Sequence, residues 1–218
     1  MRALTGPRLS PKSGRAPRQL VVLLHGVGAD GEDLIGLAPM LQRYLPDAAF
    51  VAPNAPEPCD MAPMGYQWFS LADRRPEALL RGVRTAAPDV DGFLEAELAR
   101  LGLGPAQAAL VGFSQGTMTA LHVAPRRPAT VGAVVGFSGA LLAPELLASE
   151  LRSLPPVLLV HGDSDEVVPT AALFAAKEGL EAAGLPVQWQ LRPRLGHGID
   201  PDGIDHAGRF LQAAFAAD

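Results

Sequence analysis

Short apolar, β-branched runs alternate along this chain with longer stretches whose apolar positions recur at helical spacing. That alternation marks βαβ units and a mostly parallel sheet. Strands are predicted over Leu20–Leu24, Ala48–Val51, Ala108–Val111, Val131–Phe137, Pro156–His161 and Val187–Leu191. Their near-continuous apolar character fits strands covered by helices on both faces. Between them, Phe93, Leu94, Leu98 and Leu101 share a helical face, as do Met118, Leu121 and His122, and then Ile204, Ala207, Leu211 and Phe215. Pro105 and Pro169 fall at element boundaries, as befits residues without an amide donor. Ala3–Leu9 and Arg18–Leu24 are expected to form an antiparallel hairpin at the sheet edge.

The segment Asn54–Arg75 breaks the pattern. It is long, rich in Pro and Met, and has no clear period. An unstructured loop of that length inside a compact domain is usually functional or mobile. Met61, Met64, Tyr66, Trp68 and Phe69 give it an apolar content that a solvated excursion does not need.

The sharpest chemical signal is Gly112-Phe-Ser-Gln-Gly116, set directly after a strand and before a helical pattern. In that context Gly-x-Ser-x-Gly reads as a nucleophile elbow. A serine at the tip of so tight a turn crowds the residues two positions away on either side, so both must be small. The turn lifts Ser114 out of the sheet, and the next helix aims its N-terminal amides at developing negative charge. Gly136-Phe-Ser-Gly139 also follows a strand but lacks the second spaced glycine, so Ser138 reads as structural.

A serine hydroxyl needs a base to become a competent nucleophile. His197, in the turn Leu195-Gly-His-Gly198, is the candidate. His25 and His161 end strands, where each orders a neighbouring loop; His122 reads as a satisfied helical histidine and His206 as an exposed one. The third member is a carboxylate that orients the imidazole. Asp163 and Asp165 compete for that role. Asp165 is favoured because it lies further into the loop, within reach of His197, whereas Asp163 is expected to bond its own turn. The chain order of nucleophile, acid and base is that of α/β-hydrolases. For the oxyanion, the backbone amides of Gln115 and of Val27, in His25-Gly-Val-Gly-Ala-Asp30, are the candidate donors. The Gly-x-Gly in that loop lacks the third spaced glycine of a dinucleotide site.

Composition narrows the classes further. The 218 residues fit one domain over 1–218, and 48% apolar content supports an ordinary globular core. Eighteen basic against twenty-three acidic side chains leave −5, which argues against nucleic-acid and anionic-membrane partners. Cys59 is alone, so no disulfide framework or thiolate metal cluster is expected, and no His-Glu-x-x-His pattern calls for a metal. No cofactor is implied. The basic, Pro-rich first twenty residues lack the apolar centre of a signal peptide, and no apolar run is long enough to cross a bilayer, so a cytoplasmic location without stable membrane insertion is expected.

Five stretches together resemble the phospholipase/carboxylesterase family of α/β-hydrolases, which includes acyl-protein thioesterases and bacterial serine esterases. They are LLHGVGADG at 23–31, GYQWFSL at 65–71, LVGFSQGTMTAL at 110–121, HGDSDEVVP at 161–169 and LGHGI at 195–199. The resemblance implies an α/β-hydrolase fold with no large cap domain. It carries the nucleophile to Ser114, the acid to Asp165, the base to His197 and the oxyanion amides to Val27 and Gln115. It also sets Trp68 at the substrate entrance; Met64, Phe113 and Val168 complete the expected substrate-contacting set. Dienelactone hydrolases share the fold but use cysteine where this chain has Ser114. The activity implied is hydrolysis of uncharged, short- to medium-chain acyl esters through an acyl-enzyme. A thioesterase or lysophospholipase is the alternative, and a non-catalytic binding protein on the same scaffold is the alternative of another class. The expected partner is a small-molecule ester, with a homodimer left open.

Overall fold

A computed structural model describes residues 2–216. In chain order its elements are β1 (Arg8–Leu9), β2 (Gln19–Leu24), α1 (Gly31–Leu34), α2 (Ala38–Leu41), β3 (Ala48–Val51), β4 (Glu57–Pro58), β5 (Tyr66–Gln67), α3 (Pro76–Leu101), β6 (Ala108–Phe113), α4 (Gln115–Val123), β7 (Ala133–Phe137), α5 (Pro144–Glu150), β8 (Val157–Gly162), α6 (Ala171–Ala182), β9 (Val187–Arg192) and α7 (Pro201–Ala216). Seven strands form one sheet in the order β1-β3-β2-β6-β7-β8-β9, parallel throughout except for β1.

Alternation along the strands feeds two cores. Leu20, Val22, Leu24 and Leu110 face one side, where α3, α4, α5 and α6 bring Val90, Leu94, Leu121, Leu147 and Leu173. Val21, Leu23, Val111 and Val135 face the other, against Leu41 of α2 and Ile204, Ala207 and Leu211 of α7. This double cover is why the strands read as continuous apolar runs. The outermost strand is the exception: on β9, Gln188 and Trp189 are exposed, and the Trp189 ring meets Phe174 of α6 edge-on.

The expected N-terminal hairpin does not form. Both edges of β2 are occupied by parallel partners, β3 and β6, so the first strand pairs with the free edge of β3, Arg8 opposite Val51 and Leu9 opposite Phe50. The irregular segment 54–75 also holds structure that its period conceals. β4 and β5 pair antiparallel, Glu57 opposite Gln67, and Trp68 and Phe69 plug into the core behind them. Among the described residues, no helix is long and apolar enough to cross a membrane.

Candidate active site

The turn after β6 puts Ser114 at φ 54° and ψ −114°, a positive φ that a non-glycine residue adopts at a cost of about 1–3 kcal/mol. Such strain persists only where the surroundings over-determine it. Here the Ser114 amide donates to the Phe137 carbonyl at 2.8 Å and the Ser114 carbonyl accepts from Met118 N at 3.2 Å. The Thr117 hydroxyl bridges the Gly112 and Phe137 carbonyls at 2.8 and 2.9 Å. A Cβ on residue 116 would collide with the Leu24 carbonyl, and one on residue 112 with the backbone of residues 116 and 117. The two spaced glycines are therefore packing requirements.

Ser114, His197 and Asp165 arrive from three separate loops and form one hydrogen-bonded row. His197 Nε2 lies 3.0 Å from Ser114 Oγ, and His197 Nδ1 lies 2.8 Å from Asp165 Oδ2. An ionised carboxylate only accepts, so Nδ1 carries the proton and Nε2 is left to accept from the hydroxyl. The Asp165 side chain is fully buried. Burial alone would raise its pKa, but hydrogen bonds from His197 and from the amides of Val168 and Val167, both at 2.9 Å to Oδ1, outweigh it and hold the carboxyl below its ordinary value. Phe113 packs its ring 4.9 Å from that of His197.

Asp163, the competing acid, faces elsewhere. Its Oδ1 accepts from Arg194 N at 2.7 Å and from the Ser164 hydroxyl at 2.7 Å. Besides bonding its own turn at Ser164, it fastens the loop that carries His197 through Arg194, thirty-one residues away. His161 does order its loop, with Nε2 donating to the Val168 carbonyl at 2.8 Å and lying 3.3 Å from Asp165 Oδ2. Ser138 is buried, outside the row, with its amide bonded to the Val160 carbonyl.

The loop after β2 lies against the elbow: a Cβ on residue 26 would stand 3.4 Å from the Ser114 Cβ. This brings the segment that carries Val27 alongside the serine. His25 locks that loop. Its Nε2 accepts from Ala55 N at 2.9 Å, so Nδ1 holds the proton and donates to the Gly26 carbonyl at 2.7 Å. Burial lowers its pKa, which keeps it neutral. Tyr66 ties the same loop to the ribbon: its carbonyl accepts from Gly28 N and its amide donates to the Ala29 carbonyl, both at 2.8 Å.

Trp68 and Val168, expected to contact substrate, are both buried. Trp68 does not line an entrance; it is 1% exposed, its ring 5.4 Å from that of His25 and its Nε1 donating to the His25 carbonyl at 2.8 Å. It supports the loop from beneath, because a buried indole satisfies its one donor that way. Met64 stands 80% exposed on the ribbon loop, and Val168 is buried with its backbone committed to Asp165 and His161. His122 is buried too, but its Nδ1 has no partner, and His206 is half-buried.

Sequence reasoning missed the side chain of Gln115. Wholly buried, it accepts from Trp68 N at 2.9 Å and donates to the Phe69 carbonyl at 2.6 Å, clamping the segment 54–75 onto the elbow. Only a polar, helix-compatible residue beside the serine hinted at it.

The family model described as phospholipase/carboxylesterase matches residues 10–215. The chain belongs to that family. Esterase YpfH of Escherichia coli is 30% identical over 190 residues, covering 87% of this chain and 80% of that protein. Acyl-protein thioesterase 1 of Saccharomyces cerevisiae is 28% identical, covering 98% and 100%. Among solved structures, esterase PE8 superposes with a TM-score of 0.93 at 46% identity, covering 98% of this chain and 100% of that one. The α/β-hydrolase fold read from the motifs is thereby shown.

Proposed function

We propose that this family member is a serine-dependent carboxylic-ester hydrolase working through an acyl-enzyme, with residues 1–218 as one catalytic unit. The observation that carries the reading is the Ser114–His197–Asp165 row, at 3.0 and 2.8 Å. Ser114 Oγ attacks the acyl carbon while His197 Nε2 takes its proton. The imidazolium that results is stabilised by the buried Asp165 carboxylate, whose hydrogen bonds keep it ionised. The tetrahedral oxyanion is received by the amides of Gln115 and Val27, and the N-terminus of α4 adds favourable dipole. His197 then protonates the leaving alkoxide. In the second half it deprotonates water, which attacks the acyl carbon and releases the acid, returning the proton to Ser114.

The substrate class is an uncharged short- to medium-chain acyl ester, bound beside the Phe113 ring. The similarity to esterase YpfH and esterase PE8 favours oxygen esters; the similarity to a yeast acyl-protein thioesterase supports thioesters as the second reading. Both pass through the same oxyanion. A chain-length series of nitrophenyl esters and matched acyl thioesters decides between them. The expected result is higher kcat/KM on the esters, with Ser114→Ala lowering turnover on both by several orders of magnitude. Parental turnover in that variant would end the proposal.

A further inference from the structure

At the end of α4 opposite Ser114, a cavity of about 620 Å³ opens between α3 and the chain leaving α5. It is lined by Arg84, His122, Arg126, Ser149, Glu150 and Arg152 among others. Arg84, His122, Arg126 and Arg152 also wall an adjoining space of about 340 Å³, where Asp91 and Arg127 pair with each other and Ala87, Pro88, Val123 and Pro128 supply the apolar part of the surface. In a chain with net charge −5, this concavity concentrates cations. Glu150 is the only carboxylate in the first space. It already engages the guanidiniums of Arg84 and Arg126, the latter at 2.6 Å. Three guanidiniums facing one carboxylate leave an excess of two positive charges.

The polar atoms there are not all matched. Arg126 Nη2 and His122 Nδ1 are buried without a hydrogen-bond partner, and His122 is only 4% exposed. Among the described residues, the exposed Arg152 side chain enters no ion pair, although its amide is fixed to the Pro125 carbonyl. Unmatched buried polar atoms in a folded protein call for a partner, and guanidinium forks fit planar or tetrahedral oxyanions. An excess of two charges matches a phosphoryl dianion better than a carboxylate, and the apolar wall beside it matches a compact organic body.

We infer that this cavity is a second ligand site, one that binds a soluble phosphomonoester through Arg126, Arg152 and His122. His122 lies eight residues beyond Ser114 on the same helix, so at 1.5 Å per residue the two are about 12 Å apart along it. The ligand is therefore separate from any ester held at Ser114.

Calorimetric titration of the full chain with phenyl phosphate tests this, with inorganic phosphate, benzoate and phosphatidate-containing vesicles as parallel arms. Saturable one-to-one binding of phenyl phosphate is expected, with inorganic phosphate weaker and benzoate weaker still. Arg152→Gln should raise Kd about tenfold, the loss of one charge-assisted contact, while leaving ester turnover unchanged. His122→Phe should weaken binding as well, and Ser114→Ala should bind as the parent does. The proposal falls if phenyl phosphate fails to bind, if only the vesicles bind, if Arg152→Gln and His122→Phe bind with parental affinity, or if Ser114→Ala abolishes binding.

Discussion

Acidification should weaken the fold through His122 on the helix that carries Ser114. Its imidazole is buried beside Arg126, and burial first, the neighbouring positive charge second, pull its pKa from 6.5 down to about 4. Between those two pH values the unfolded chain binds a proton there that the folded chain refuses, so stability must fall as pH drops through the window. The gap between 6.5 and about 4 sets the full contribution on the order of 3 kcal/mol, most of which is lost between pH 7 and pH 4.5. His122→Phe keeps a ring of similar size and cannot take the proton. It also removes the partnerless Nδ1. Urea unfolding followed by the fluorescence of Trp68 and Trp189 would measure both proteins at the two pH values. The variant should match or exceed the parent at pH 7 and outlast it by an additional 2–3 kcal/mol or so at pH 4.5. Parallel pH dependence of the two, within about 0.5 kcal/mol, would refute the reasoning.

Asp165→Asn should leave the row in place but lower kcat by about four orders of magnitude, as measured with a nitrophenyl ester, because an amide no longer stabilises the imidazolium. Since the Asp165 pKa is lowered in the fold, its stabilising share is present above the unfolded carboxyl value near 3.9 and lost as pH falls through the folded one. The same variant should therefore show a flatter acid-unfolding limb below about pH 4. Gln115→Ala should cost about 2–4 kcal/mol, leaving the Trp68 amide and Phe69 carbonyl without partners. Thermal melts should register that loss, and limited proteolysis should cut within 54–75 faster than in the parent.

What was legible in the chain and what was not divides along physical lines. The covered strands announce themselves because both faces are apolar, and the elbow because only glycine fits at 112 and 116. The three members of the row could be named because each sits in a turn beside a strand end, where a parallel sheet gathers its loops. Partnerships set across the fold left no local trace. The first strand went to β3 because β2 had no free edge, which only the complete sheet reveals. α3 runs through Pro88 and begins at Pro76, well before the apolar positions that predicted it. The family resemblance sets Trp68 at the substrate entrance, yet tertiary packing drives it into the core. Asp163 fastens a loop far along the chain, and His122 is orphaned by surroundings drawn from α3 and the segment after α5.

The central claim is that Ser114 is the nucleophile activated by His197. Intact-mass and peptide analysis after exposure to a fluorophosphonate probe tests it most directly. The account predicts one adduct per folded chain, on Ser114, with labelling sharply slowed in His197→Ala. A folded protein that stays unlabelled, or an adduct carried by Ser138, would contradict it.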